Sequence, residues 1–294
     1  MHDKLNRMKQ EYESIPIPDE LNEMVNRTIA SRRKKIKAVP WLASAAAACI
    51  LLFAGVNASP AFAQALSEVP VLGKIVKVIT IREYAEQNEN TDVHLKTPGI
   101  AGTGDPELEQ SLNTKYLEEN KKLYEDFKDE VAQLEKGGGG HIGLESGYEV
   151  VTDTDRLLTL SRYVVESAGS SAESRKYDTI DKINHIVITL PSLFSDDRYI
   201  QAISDNIKEQ MRQQMKDDPN KVYWVQQPGT EPDMPEEEMF RSIAKDQSFY
   251  INQDGKLVIS FDEYDVAPGY MGVVEFTIPT EAIQDLLVSN EYVK

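Results

Sequence analysis

Hydrophobic and polar positions divide the chain into three stretches of different periodicity. From Ala38 the sequence runs AVPWLASAAAACILLFAGV, nineteen residues without a charge. As a helix that run is roughly 28 Å long at 1.5 Å per residue, close to the ~30 Å hydrocarbon core of a bilayer, and it predicts a single transmembrane helix over 38–58. Ahead of it, Leu21, Met24, Val25, Thr28 and Ile29 share one face of a helix that Asp19 would cap, and Leu5, Met8 and Tyr12 form a shorter stripe before Pro16 and Pro18. Two short amphipathic helices in residues 1–37 have too little apolar surface for a core of their own, so this helical head needs a partner for its apolar faces. A cytosolic protein is the simplest partner; mutual packing or membrane contact is the alternative.

Beyond the span the period changes repeatedly. Val69, Leu72, Val76 and Ile79 recur at helical spacing with Lys74 and Lys77 between them. That predicts a helix lying on the membrane surface, or one packed on the outer domain, within a juxtamembrane segment 59–80. Asp105 and Pro106 start a long helix to Glu135 whose buried stripe is Leu108, Leu112, Tyr116, Leu123, Phe127, Val131 and Leu134. Short apolar runs between Tyr148 and Ile188 read as strands. A second helix from near Ser195 carries Ile200, Ile203, Ile207, Met211 and Met215 and stops at Asp218-Pro219-Asn220, and the acidic stretch Gln226–Glu238 reads as a loop. Phe249–Ile251, a turn at Asp254-Gly255 and Leu257–Phe261 predict a hairpin. A strand Val273–Ile278 and a closing helix from Thr280 complete an α+β outer domain in two parts, 81–190 and 191–294. Between the last strands, Pro268-Gly269 predicts a type II turn that pushes both Tyr270 and Met271 outward.

Charge orients these pieces. Arg32, Arg33, Lys34, Lys35 and Lys37 abut the start of the span, which by the positive-inside rule holds the amino terminus in the cytosol and places the carboxyl end outside the cell. The same pattern, followed by small residues at Ala61-Phe62-Ala63 and Ala63-Gln64-Ala65, also describes a secretory signal with a cleavage site before Leu66. A 37-residue amphipathic leader is longer than an ordinary basic region and favours a retained anchor. Residues 1–37 carry nine basic and six acidic side chains, leaving 23 basic and 43 acidic beyond the uncharged span. An outer charge of this sign repels nucleic acid and anionic lipid and attracts basic partners. The single cysteine, Cys49, lies in the span, so the outer domain holds no internal disulfide, as in a bacterium with one membrane that uses disulfides sparingly.

No local catalytic pattern appears. His2, His94, His141 and His185 lack metal-ligand spacing, and there is no Gly-x-Ser-x-Gly elbow or Walker loop. No cofactor is expected. A carboxylate pair drawn from Asp262, Glu263 and Asp265 would suit a glycosidase, but these residues read first as the rim of a solvated loop. The alternative function is therefore an exported cell-wall glycan hydrolase or glycan-binding protein. The leading candidate is a binding surface around Tyr270, an aromatic on a pre-set turn beside carboxylates that would select a basic partner.

Several runs resemble a known family. They are Ile17-Pro18-Asp19-Glu20-Leu21, Ala63-Gln64-Ala65 before Leu66, Val71 to Lys77, and Val258-Ile259-Ser260-Phe261-Asp262-Glu263-Tyr264-Asp265-Val266-Ala267-Pro268-Gly269-Tyr270-Met271-Gly272. Together they resemble the anti-sigma factors of the extracytoplasmic sigma-V system, which act as lysozyme receptors in Gram-positive bacteria. The resemblance implies a head that sequesters a sigma factor through Leu21, Met24, Val25 and Ile29. It implies an outer domain that binds lysozyme through Pro268, Gly269, Tyr270 and Met271, with Ser170 or Ser171 from a serine-rich turn. It also implies two cuts after lysozyme binds, by signal peptidase at Ala63, Ala65 and Leu66 and then by an intramembrane site-2 protease in the span.

Overall fold

The computed structural model describes residues 76–137, 139–229 and 235–294. The head with Leu21, Met24, Val25 and Ile29, the span, and the small residues Ala63 and Ala65 before Leu66 lie outside the described residues. Among the described residues no helix is long and apolar enough to cross a membrane. These residues belong to one compact unit that begins at Pro70, and it is α+β.

Six strands form the larger sheet in sequence order: β1 (Lys77–Gln87), β2 (Thr91–Ala101), β3 (Ile142–Asp153), β4 (Leu157–Ala168), β5 (Ser170–Asp181) and β6 (Ile186–Ile188). All neighbours are antiparallel except β2 and β3. A parallel pair needs a long crossover, and helix α1 (Pro106–Lys136) supplies it. The Asp105 carboxylate accepts the Glu107 and Leu108 amides at 2.9 and 3.1 Å, with Pro106 in the first turn, satisfying donors the helix leaves free. Leu112 and Tyr116 pack on Ile100, Leu158, Leu160 and Ile180; Phe127 packs on Val93, Leu95, Ile142 and Leu144. Between these clusters Asp178 takes Lys115 at 2.7 Å and Arg162 at 3.0 Å, and Arg162 also binds Glu119.

The first difference from the sequence reading falls at the start of the unit. Residues 77–79 are strand, not the end of a helix over 69–79, whose earlier residues lie outside the described ones. Val78, Ile79, Thr80 and Ile81 are consecutive β-branched residues, stiff in a helix and suited to a pleated surface. Val76 and Val78 pack on the Leu112–Tyr116 cluster, so a tertiary core takes the apolar side chains that a membrane-surface helix would have turned to lipid.

A three-stranded antiparallel sheet, β7 (Phe249–Ile251), β8 (Leu257–Phe261) and β9 (Val274–Ile278), packs with helix α2 (Arg198–Asp217) around the largest core cluster. Ile203, Ile207 and Met211 on α2 are fully buried there, and the expected Ile200 and Met215 flank them. Helix α2 starts three residues after Ser195 because the Ser195 amide donates to the Leu286 carbonyl at 2.9 Å. The closing helix is absent. After Pro279 there are only two short 3-10 turns, Thr280–Ala282 and Gln284–Leu286, since the tail spends its backbone groups on other segments. The Val288 amide donates to Leu193, the Lys294 amide donates to Gly255, and Leu287 bridges to Phe194.

The two sheets meet along β5. Tyr177 stacks on Tyr250 at 4.9 Å and the Thr152 hydroxyl donates to the Ile251 carbonyl at 2.7 Å. At the far end of β5, the buried Asp181 carboxylate accepts the Ile183 and Asn184 amides, the Asn184 side chain, the Arg156 guanidinium and, at 2.8 Å, the Tyr292 hydroxyl. Burial raises its pKa, but hydrogen bonds from Asn184, Tyr292, Arg156 and Ile183 outweigh that and hold it at about 2.

Candidate functional site

Register fixes which end of the large sheet carries which expected residue. Gly169 (φ 81°) turns β4 into β5 and leaves Ser170 and Ser171 exposed at the tip. Beside this tip Ser167 pairs with Gly143, Ile142 with Thr91, and Asp92 with Gln87. The start of β1 at Lys77 pairs instead with Ala101, so it lies at the opposite end, roughly 33 Å along the strand at ~3.3 Å per residue.

The connection from β8 to β9 leaves at the tip end. The Glu263 amide donates to the Glu173 carbonyl at 2.9 Å, and the Glu173 amide donates back to the Glu263 carboxylate at 3.0 Å. The Arg175 amide donates to Asp262 Oδ1 at 2.7 Å, and the Asp262 amide donates to Asp265 Oδ2 at 3.0 Å. The reading of Asp262 and Glu263 as a solvated rim is therefore corrected: both are half-buried and fasten the connection to β5, while Asp265 faces solvent. Burial, with Asp265 nearby, raises the Asp262 pKa, and the Arg175 amide opposes that only in part.

The turn at Pro268 also differs from expectation. A type II turn needs positive φ at Gly269, but the backbone there makes a 3-10 turn, Gly269–Met271, in which the Met271 amide donates to the Pro268 carbonyl at 2.9 Å. The positive φ falls on Gly272, at 63°. Tyr270 points outward and is 68% exposed, but Met271 does not: it packs on the Phe261 and Phe276 core. A 3-10 turn of about three residues per turn spreads successive side chains by roughly 120°, so neighbours cannot both face out. The Tyr270 hydroxyl donates to the Asn220 carbonyl at 3.0 Å, fastening the ring to the turn after α2.

Gly269 serves close approach. A Cβ there would stand 2.3 Å from the ring and hydroxyl of Tyr264, a residue that sequence patterns did not single out. The structure thus brings Pro268, Gly269 and Tyr270 onto one surface and ties their connection to β5 two residues after Ser171. Glu173, Asn220 and Tyr264 are the parts that sequence reading missed; the first two act through backbone groups and carry no side-chain signal.

The remaining candidates do not converge. His94 pairs with Glu83 at 2.8 Å on β2, His141 precedes β3, and His185 (φ 55°) sits in the β5–β6 turn. Among the described residues no three metal-capable side chains come together. The Asp262 carboxylate is taken up by a backbone amide.

Comparison with known proteins gives the following. Residues 191–281 match a family described as a protein of unknown function, DUF3298, and residues 32–162 match a domain of unknown function, DUF4179. The anti-sigma-V factor RsiV of Bacillus subtilis (strain 168) is 48% identical over 295 residues, covering 100% of both chains. A crystal structure of a DUF3298 family member from Bacteroides fragilis superposes with a TM-score of 0.52 at 19% identity, over 73% of this chain and 94% of that one. A DUF3298 family protein from Pseudomonas aeruginosa PAO1 gives 0.50 at 14% identity, over 76% and 98%. The two structures show the fold alone.

Proposed function

The chain belongs to the anti-sigma-V factor family, and from that premise we propose that it is a membrane-anchored receptor whose outer domain detects lysozyme. As an anti-sigma factor it has a sigma factor for a partner. In the proposed arrangement residues 1–37 hold an extracytoplasmic-function sigma factor through Leu21, Met24, Val25 and Ile29, and the helix over 38–58 anchors the chain with its amino terminus in the cytosol. Residues 76–294 face the outside.

One observation carries the reading. The loop bearing Pro268 and Tyr270 is tied by reciprocal hydrogen bonds between Glu263 and Glu173 to the hairpin bearing Ser170 and Ser171. Segments about a hundred residues apart in sequence thereby form one rigid end of an acidic domain. A rigid aromatic on a pre-organised loop suits a protein ligand, and the 43 acidic against 23 basic side chains beyond the span favour a strongly basic one such as an animal lysozyme.

The proposed output is proteolysis. Signal peptidase cuts between Ala65 and Leu66, an intramembrane site-2 protease then cuts the span, and the sigma factor leaves the membrane. Strand β1, which begins eleven residues after Leu66 and among the described residues has only β2 as a ladder neighbour, is the element through which ligand binding would alter access to that site. Binding shifts such an equilibrium by as much as the ligand prefers one state over the other.

The test is the full-length chain in its membrane, with and without hen egg-white lysozyme, compared with Tyr270→Ala. Shortening near Leu66 that appears only with lysozyme, and fails in Tyr270→Ala, supports the receptor reading. Equal rates of shortening with and without lysozyme would overturn it.

A further inference from the structure

The ledge that presents Tyr270 has a second aromatic, and its backbone is strained. Tyr264 has φ 70°, and among the described residues His185 is the only other non-glycine with positive φ. This conformation costs an L-residue about 1–2 kcal/mol, and a bulky aromatic seldom adopts it. The surroundings force it: the Glu263 amide is fixed on the Glu173 carbonyl at 2.9 Å, and the Asp265 amide closes back on the Asp262 carbonyl at 3.1 Å. Two residues later the Val266 carbonyl accepts the Trp224 amide at 2.8 Å.

Core packing does not account for the strain, because the Tyr264 side chain stays 46% exposed. Its ring is laid instead over Gly269, where a Cβ would stand 2.3 Å away, directly before Tyr270. Tyr270 in turn reaches Asn220 at 3.0 Å, two residues before Val222. Tyr264, Tyr270 and Val222, at 46%, 68% and 38%, are three of the seven large apolar side chains exposed among the described residues. Tyr264 lies against the residue directly before Tyr270, and Tyr270 is bonded to the turn that leads into Val222. Asp265 adds an exposed carboxylate next to Tyr264. Rigid tyrosines with only two side-chain torsions lose little entropy on contact, which makes them effective anchors. Backbone strain held by surrounding structure is characteristic of ligand clamps.

We infer that Tyr264 is a second aromatic anchor of the ligand surface, contacting the same basic protein as Tyr270, with Val222 at the rim. The inference rests on the lysozyme reading. It makes Gly269 the residue that lets two aromatics share one ledge.

The experiment compares wild type, Tyr264→Asn and Tyr264→Phe as full-length chains in nanodiscs, measuring melting temperature and binding kinetics with hen egg-white lysozyme. Asn tolerates the left-handed conformation and removes the ring, so it keeps or raises the melting temperature while affinity falls at least about tenfold, mainly through faster dissociation. The Phe variant retains the ring and stays within about threefold of wild type. Wild-type affinity in Tyr264→Asn would overturn the inference and leave the receptor reading intact. A melting temperature lowered by Asn would also overturn it, because the ring would then be a packing element. Failure of the wild type itself to bind would remove the lysozyme reading, and this assignment with it.

Discussion

Replacing Asp181 by Asn should separate the two layers of the domain energetically, with a pH signature that can be worked out in advance. The Asp181 side chain is fully buried, bonded to backbone and side chains of the β5–β6 turn, to Arg156 before β4 and to Tyr292 in the tail. Its pKa falls from the ordinary 3.8 to about 2. At ~1.36 kcal/mol per unit, that shift is worth about 2.4 kcal/mol of stability at neutral pH. A depressed carboxylate contributes fully above its unfolded pKa and loses the contribution as pH falls toward the folded value, so about half is gone by pH 3. Asn removes the charge and sets an amide donor against Arg156 or Tyr292, adding roughly 1–3 kcal/mol of unmade hydrogen bonding. The expected loss at pH 7 is about 3–5 kcal/mol, or roughly 6–20 °C in melting temperature for a unit of this size. The assay is urea unfolding of residues 70–294 followed by Trp224 fluorescence, at pH 7 and pH 3, for both chains. The gap between them should narrow by about 1 kcal/mol at pH 3. A gap below 1 kcal/mol at pH 7, or one that does not change with pH, would refute the reasoning.

Asp262 carries the opposite sign. Its raised pKa means that the charged form opposes folding above that pKa, so Asp262→Asn, which can still accept the Arg175 amide, should melt at or above the wild-type temperature at pH 7. The advantage should vanish near pH 3, as thermal scans at the two pH values would show. Tyr270→Phe loses the bond to the Asn220 carbonyl and frees the ring, so lysozyme affinity should fall about threefold to tenfold, for roughly 0.5–1.5 kcal/mol, with the melting temperature unchanged within about 2 °C. Gly269→Ala places a methyl group where the far end of the exposed Tyr264 ring lies, so the ring should be pushed aside at little cost in melting temperature while lysozyme affinity falls, read by calorimetry and binding kinetics on the same variant.

Much of the scaffold was legible because local chemistry and tertiary structure agreed there. Asp105-Pro106 starts α1 for the reasons its side chains imply, the apolar stripe of α2 meets the core, and Asp254-Gly255 turns the β7–β8 hairpin with Gly255 at φ 73°. Agreement failed where one pattern served two structures. Val76 and Ile79 fit a helical stripe, but the β-branched run Val78–Ile81 and the open edge of β2 make the segment a strand. Pro268-Gly269 invites a type II turn, but the anchored Met271 side chain favours a tighter one that separates Tyr270 from its neighbour. The pairing of Glu173 with Glu263 joins segments 90 residues apart through both backbone groups of Glu173, which carry no side-chain signal. The strain at Tyr264 follows from that pairing and was hidden for the same reason.

These features divide the work of recognition on the proposed reading. The excess of acidic side chains is spread over a large surface, and several of its ion pairs, such as Lys121 with Glu125 and Lys122 with Asp126, are exposed at 3.8 Å. Charge of this kind acts over about a Debye length, near 8 Å at physiological salt, so it can speed encounter with any basic protein but cannot choose among them. Choice needs shape held in advance of contact. The ledge of Tyr264 and Tyr270 supplies it, because the Glu173–Glu263 pair, the Arg175–Asp262 bond and the Asn220 carbonyl fix its backbone and one of its two rings. Raising salt should therefore slow association for wild type and Tyr264→Asn alike, whereas removing the Tyr264 ring should act on dissociation at every salt concentration. If both changes act on the same rate, steering and anchoring are not separate properties of this surface.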